Sequence, residues 1–78
     1  MDADNLIHMA NRIGEFFEAM PDRPEALEGI AVHLKKFWEP RMRRQFLALL
    51  DDPQASRDLK EIVRTAIAQH RALLAPTA

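Results

Sequence analysis

The sequence predicts an all-α fold, a small compact helical bundle of three to four helices. Three observations carry that prediction. Only two of the 78 residues are glycine, while the strong helix formers Ala, Leu, Glu, Arg and Met abound. No stretch alternates β-branched and polar residues in the manner of a strand. Finally, Pro21, Pro40 and Pro53 cut the chain into four segments, each carrying apolar residues at helical spacing. One domain, 1–78, accommodates all of this, with 75–78 read as a frayed tail.

The first helix is predicted from about Asp4 to Met20, with Asp2 or Asp4 as its cap. Leu6, Met9, Ala10, Ile13, Phe16, Phe17 and Met20 share about a third of its circumference, opposite Asn5, His8, Arg12 and Glu15. Ile7 and Gly14 lie together off that stripe. A glycine inside a helix costs about 1 kcal/mol relative to Ala. Either another backbone approaches closely at Gly14, or the site is exposed and the cost is tolerated.

Pro21 stops this helix, and Asp22 with Glu25 three residues later reads as a variant capping box for the next. The second helix continues to about Trp38, with Leu27, Ile30, Ala31, Leu34, Phe37 and Trp38 as its apolar face and Gly29 and Val32 on the far side. Pro40 lacks an amide hydrogen and disfavours helical geometry at Glu39, so a corner is expected there. A shorter third helix then reaches Leu50, burying Met42, Phe46, Leu49 and Leu50 and leaving Leu47 outside that face, exposed in a simple bundle or else covered by another element or a partner. After Asp51-Asp52-Pro53, the last helix is predicted from roughly Ser56 to Leu74, with Leu59, Ile62, Val63, Ala66, Ile67, Leu73 and Leu74 on one face. His70 falls near the centre of that stripe, where a partly buried histidine bonded to a carbonyl or water is expected.

Composition excludes several function classes. There is no cysteine, hence no disulfide framework and no thiolate metal site, which fits a cytoplasmic protein. The polar, acidic start is wrong for a secretory signal, and no apolar run approaches the roughly 18 residues that span a bilayer. Neither His8, His33 and His70 nor the carboxylates show a ligand spacing that points to a metal. Ser56, Thr65 and Thr77 are the only hydroxyl side chains, none in a nucleophile-elbow context, and no Gly-rich loop offers to cradle phosphate. No catalytic, cofactor-binding or metal-ligating residue is therefore assigned, and an enzyme acting alone is not expected.

The informative stretch is His33-Leu34-Lys35-Lys36-Phe37-Trp38-Glu39-Pro40-Arg41-Met42-Arg43-Arg44. Residues 35–44 hold five of the eleven basic residues and sum to +4, in a chain whose net charge is −1. An aromatic pair before a cationic corner suggests a docking surface, since Trp and Arg are enriched at binding hot spots. Phe37 and Trp38 both have a plain reading as core residues closing the bundle's end, which suits Phe37 best; Trp38, next to the proline corner and the arginines, is read alternatively as partly exposed and filling a partner's pocket. The plainer alternative has Lys35, Lys36 and Arg43 in solvated pairs with acidic neighbours. A nucleic-acid-binding module using the same corner is a third reading, weakened by the overall acidity, the proline and the apolar residues of the third helix.

Several blocks of this chain resemble a known family. Met9-Ala10-Asn11-Arg12-Ile13 through Phe16-Phe17, then Pro21-Asp22-Arg23, Gly29-Ile30-Ala31 and above all His33 to Arg43 resemble the delta subunit of NAD-dependent formate dehydrogenase. The likeness runs from about Ile7 to Leu50, and its most specific element is Phe37-Trp38-Glu39-Pro40-Arg41-Met42. It implies a small non-catalytic accessory subunit of a cytoplasmic complex, supporting assembly, stability or cofactor maturation. Molybdopterin (with molybdenum or tungsten), iron–sulfur clusters, flavin and NAD are then expected on partner subunits, and no membrane is involved. The expected partner is the large molybdopterin-binding subunit, met through Phe37, Trp38, Arg41, Arg43 and Arg44, with Asn11 and His33 alongside. On this reading Trp38→Ala weakens association and leaves the domain helical. A homo-oligomer meeting across Ile7, Gly14 and Leu47 is the remaining alternative.

Overall fold

A computed structural model of the chain describes residues 2–76, and among them four helices and no strand. They are α1 (Ala3–Glu18), α2 (Arg23–Phe37), α3 (Pro40–Leu50) and α4 (Glu61–Leu74). The fold is all-α, as expected. The last two residues of the predicted tail lie outside the described residues, whereas Ala75 still donates its amide to Arg71 O at 3.0 Å and Pro76 is half-buried.

Local chemistry sets most boundaries. Asp2 caps α1 by accepting the Asp4 amide at 3.2 Å, and Asp22 caps α2 by accepting the Glu25 amide at 3.1 Å. Trp38 and Glu39 are extended (ψ 127° and 159°), and Pro40 opens α3, where its missing donor costs nothing.

The start of α4 departs from expectation: it begins at Glu61, not near Ser56. Residues 51–60 instead form a run of turns around Asp52 and Ser56. The Asp52 carboxylate accepts the Gln54 amide at 3.0 Å, while the Ser56 amide and hydroxyl both donate to Asp52 O. The Asp52 carboxylate thus closes a local turn with the amides that follow it, which gives the backbone an alternative to helix. Ser56 is fully buried, and Arg64 donates to its carbonyl at 2.6 Å. The cap of α4 comes from α1: Asn11 Oδ1 accepts the Lys60 amide at 2.8 Å, and Asn11 Nδ2 donates to Asp58 O at 3.0 Å.

The core draws on all four helices, with α2 and α4 in the most extensive contact. Leu6, Ile30, Leu34, Phe46, Val63, Ile67 and Leu74 are almost completely enclosed. Two faces are turned relative to the predicted stripes. On α1 the buried set is Leu6, Ile7, Ala10 and Gly14, and Phe16 lies outside it. The cause is α4, which closes on Gly14 so tightly that a Cβ there would stand 2.6 Å from Val63 Cγ2. On α3, Leu47 joins Phe46 in the core while Leu49 and Leu50 are only half-buried. Ile7, Gly14 and Leu47, the residues expected across a homodimer, are thus consumed inside one chain. No helix among the described residues is long and apolar enough to cross a membrane.

Candidate docking surface

Phe16 and Phe17 are consecutive on α1, so their side chains leave the helix about 100° apart and cannot share one buried position. Phe17 turns toward α2 and lies across Gly29, where an added Cβ would come within 2.5 Å of its ring. Gly29 was expected on the outer side of α2; it is instead the slot that lets this ring cross the seam between the helices. Phe16 remains 73% exposed.

From there an aromatic strip crosses the seam. Phe16 meets Phe17 edge-on at 5.2 Å between centroids, Phe17 meets His33 at 6.3 Å, and His33 meets Phe37 at 4.8 Å. Phe37 is 70% exposed. Arg12, Ile13, Phe16, Phe17 and His33 line a shallow groove of about 430 Å³ beside this strip.

The core reading fails for Phe37 and holds for Trp38. Trp38 is only 5% exposed and packs edge-on against Phe46 at 5.3 Å. It is the first residue past α2, and its extended backbone swings the indole under the chain toward α3. Phe37, still helical, is carried to the surface.

The basic corner divides in the same way. Arg43 is half-buried, donating Nε to Trp38 O at 3.1 Å and a terminal guanidinium nitrogen to Leu74 O at 3.3 Å. It therefore ties the C-terminal ends of α2 and α4, where a cation is favoured by both helix dipoles. Lys35, Lys36, Arg41 and Arg44 are exposed. The ion pairs among the described residues are Lys60–Glu18 at 3.5 Å and Arg71–Asp51 at 2.9 Å, so the acidic partners expected for Lys35, Lys36 and Arg43 are not engaged.

Of the seven residues expected to meet a partner, the structure brings His33 and Phe37 into one exposed strip and leaves Arg41 and Arg44 free on the surface. Asn11, Trp38 and Arg43 are occupied within the fold. Phe16, Phe17 and Arg12 belong to the surface and were absent from the expected set. The signal for them was present: two adjacent phenylalanines at the edge of an apolar stripe wider than one core contact. His70 is half-buried at a break in α4 (φ −122°, ψ 27°), and no three His, Asp or Glu side chains among the described residues are placed to hold a metal.

The chain matches the family model for the NADH-dependent formate dehydrogenase delta subunit, FdsD, over residues 5–67. It belongs to that family. The matched span contains the aromatic strip, the basic corner and the Asn11 clamp, and it reaches Ile67 in α4, well beyond the likeness seen in the sequence up to Leu50. No curated protein and no solved structure matches the chain.

Proposed function

We propose that this delta subunit is a non-catalytic accessory subunit that docks onto the large molybdopterin-binding subunit of its formate dehydrogenase through the α1–α2 aromatic strip. The observation that carries the reading is the exposure of Phe16 (73%) and Phe37 (70%) within one connected set of rings. Isolated apolar side chains on a surface are ordinary; a contiguous aromatic patch marks an interaction site. Docking supports assembly, stability or cofactor maturation of a cytoplasmic complex. Molybdopterin, iron–sulfur clusters, flavin and NAD then reside on the partner subunits. The donor set agrees with that division, because a chain without cysteine has no thiolate to offer a cluster.

The test is co-purification of tagged delta subunit with the other formate dehydrogenase subunits. Phe16→Asp/Phe37→Asp is expected to abolish recovery while the circular dichroism of the isolated chain stays helical. Undiminished recovery of the complex by that variant overturns the assignment of the surface. The unpaired Lys35, Lys36, Arg41 and Arg44 keep a nucleic-acid reading in competition. A gel shift that weakens steeply between low and moderate salt favours it, and no shift at either salt removes it.

A further inference from the structure

We infer that the occupant of the aromatic groove is an amphipathic helix of the partner subunit that carries carboxylates on either side of its apolar face; this rests on the docking reading above. Three observations lead there. The first is charge. Arg12 lines the groove and stands one turn before Phe16, and Lys36 stands one turn after His33. Neither is in an ion pair among the described residues. Of the carboxylates within two residues of Phe16 or Phe37, Glu15 does not line the groove. Glu18 is paired with Lys60 at 3.5 Å, and Glu39 lies beyond the end of α2. Arg12 is therefore the cation lining the groove on α1, and Lys36 is the exposed cation one turn past His33 on α2.

The second observation is size. Two phenylalanines exposed by about 70% supply roughly 300 Å² of apolar surface, against about 800 Å² per partner in a standard interface. The strip is the centre of an interface whose remainder is polar, so the charge of the rim selects the partner. A second copy of this face is a poor match, because it would set Arg12 and Lys36 against cations of the same kind. The third is shape. Ring contacts of 5.2, 6.3 and 4.8 Å, each an ordinary aromatic packing distance, join Phe16 to Phe37 in one strip several rings long across the seam. A helix laid along the strip offers one apolar side chain per turn to it, the helix-in-groove mode of recognition.

The experiment reconstitutes purified delta subunit with formate dehydrogenase complex prepared without it, and couples amines to adjacent carboxylates with a water-soluble carbodiimide. The expected product is an amide between Lys36 Nζ and an Asp or Glu in a helical segment of the partner, found by peptide mass spectrometry. In parallel, Arg12→Glu/Lys36→Glu should raise Kd at least tenfold at low salt, and Arg12→Lys/Lys36→Arg should preserve it. If charge reversal leaves Kd unchanged while Phe16→Asp still abolishes binding, docking stands and the acidic helix is overturned. If Phe16→Asp also leaves Kd unchanged, the surface itself is wrong. A Lys36 cross-link to a second delta subunit overturns the inference in favour of self-association.

Discussion

The two glycines show how the same substitution takes opposite consequences from its surroundings. At Gly14 an added methyl meets Val63, which is fully enclosed and has nowhere to move. Gly14→Ala gains about 1 kcal/mol of helix propensity but overpacks the α1–α4 contact, at a typical cost of about 1–3 kcal/mol. A lowered urea midpoint is expected, with partial recovery in Gly14→Ala/Val63→Ala; a higher midpoint in the single variant would show that the helices part easily. At Gly29 the atoms nearest the added methyl all belong to the Phe17 ring, which is half-buried at the surface and can swing outward. Gly29→Ala should therefore keep or slightly raise stability while displacing Phe17 from the seam. The readout is a melting curve at or above wild type together with weakened association. An unaltered association would mean that the Phe17 position is irrelevant to docking.

Among elements, the contrast is between boundaries written locally and those written at a distance. The ends of α1, α2 and α3 follow from Asp2, Asp22 and Pro40 acting on neighbouring residues, and these were legible in the sequence. The start of α4 was not, because its cap, Asn11, lies 49 residues earlier in the chain. Ser56, near which the helix was expected to begin, instead lies in the turn before it, its hydroxyl donating to Asp52 O. The surface was legible in part for a related reason. A helical stripe says which residues are apolar; only the position of α4 against Gly14 decides that Phe16 is left outside. Likewise, the proline corner announced that Phe37 and Trp38 would separate, but the direction of the turn placed the indole inside. Asn11→Leu removes both clamp bonds and should cost about 1–2 kcal/mol. Hydrogen exchange is expected to accelerate first at the amides of residues 58–64. Acceleration spread evenly over all four helices would contradict a local clamp.

At the scale of the whole molecule, burial separates residues that hold the fold from those left for a partner. Trp38→Ala deletes a core side chain packed on Phe46 and should cost about 3–5 kcal/mol. A chain of this length has roughly 4–12 kcal/mol in total, so a large share of its stability goes and a markedly lowered melting temperature is expected. That outcome would say nothing about docking. Phe16→Asp removes a largely exposed ring and should change stability by less than about 0.5 kcal/mol. Docking adds its own term, because a partner that binds only the folded chain stabilises it by mass action, about 2.7 kcal/mol at a free partner concentration one hundred times Kd. Amides of the central helices, such as those of the buried Ile30, Leu34 and Ile67, are expected to exchange through global opening, so their exchange should slow by about a hundredfold in the complex. Phe16→Asp should retain the free-state rate and lose the slowing. Core amides that exchange equally fast with and without saturating partner would show that the complex does not bind the folded bundle, and the aromatic strip would need another explanation.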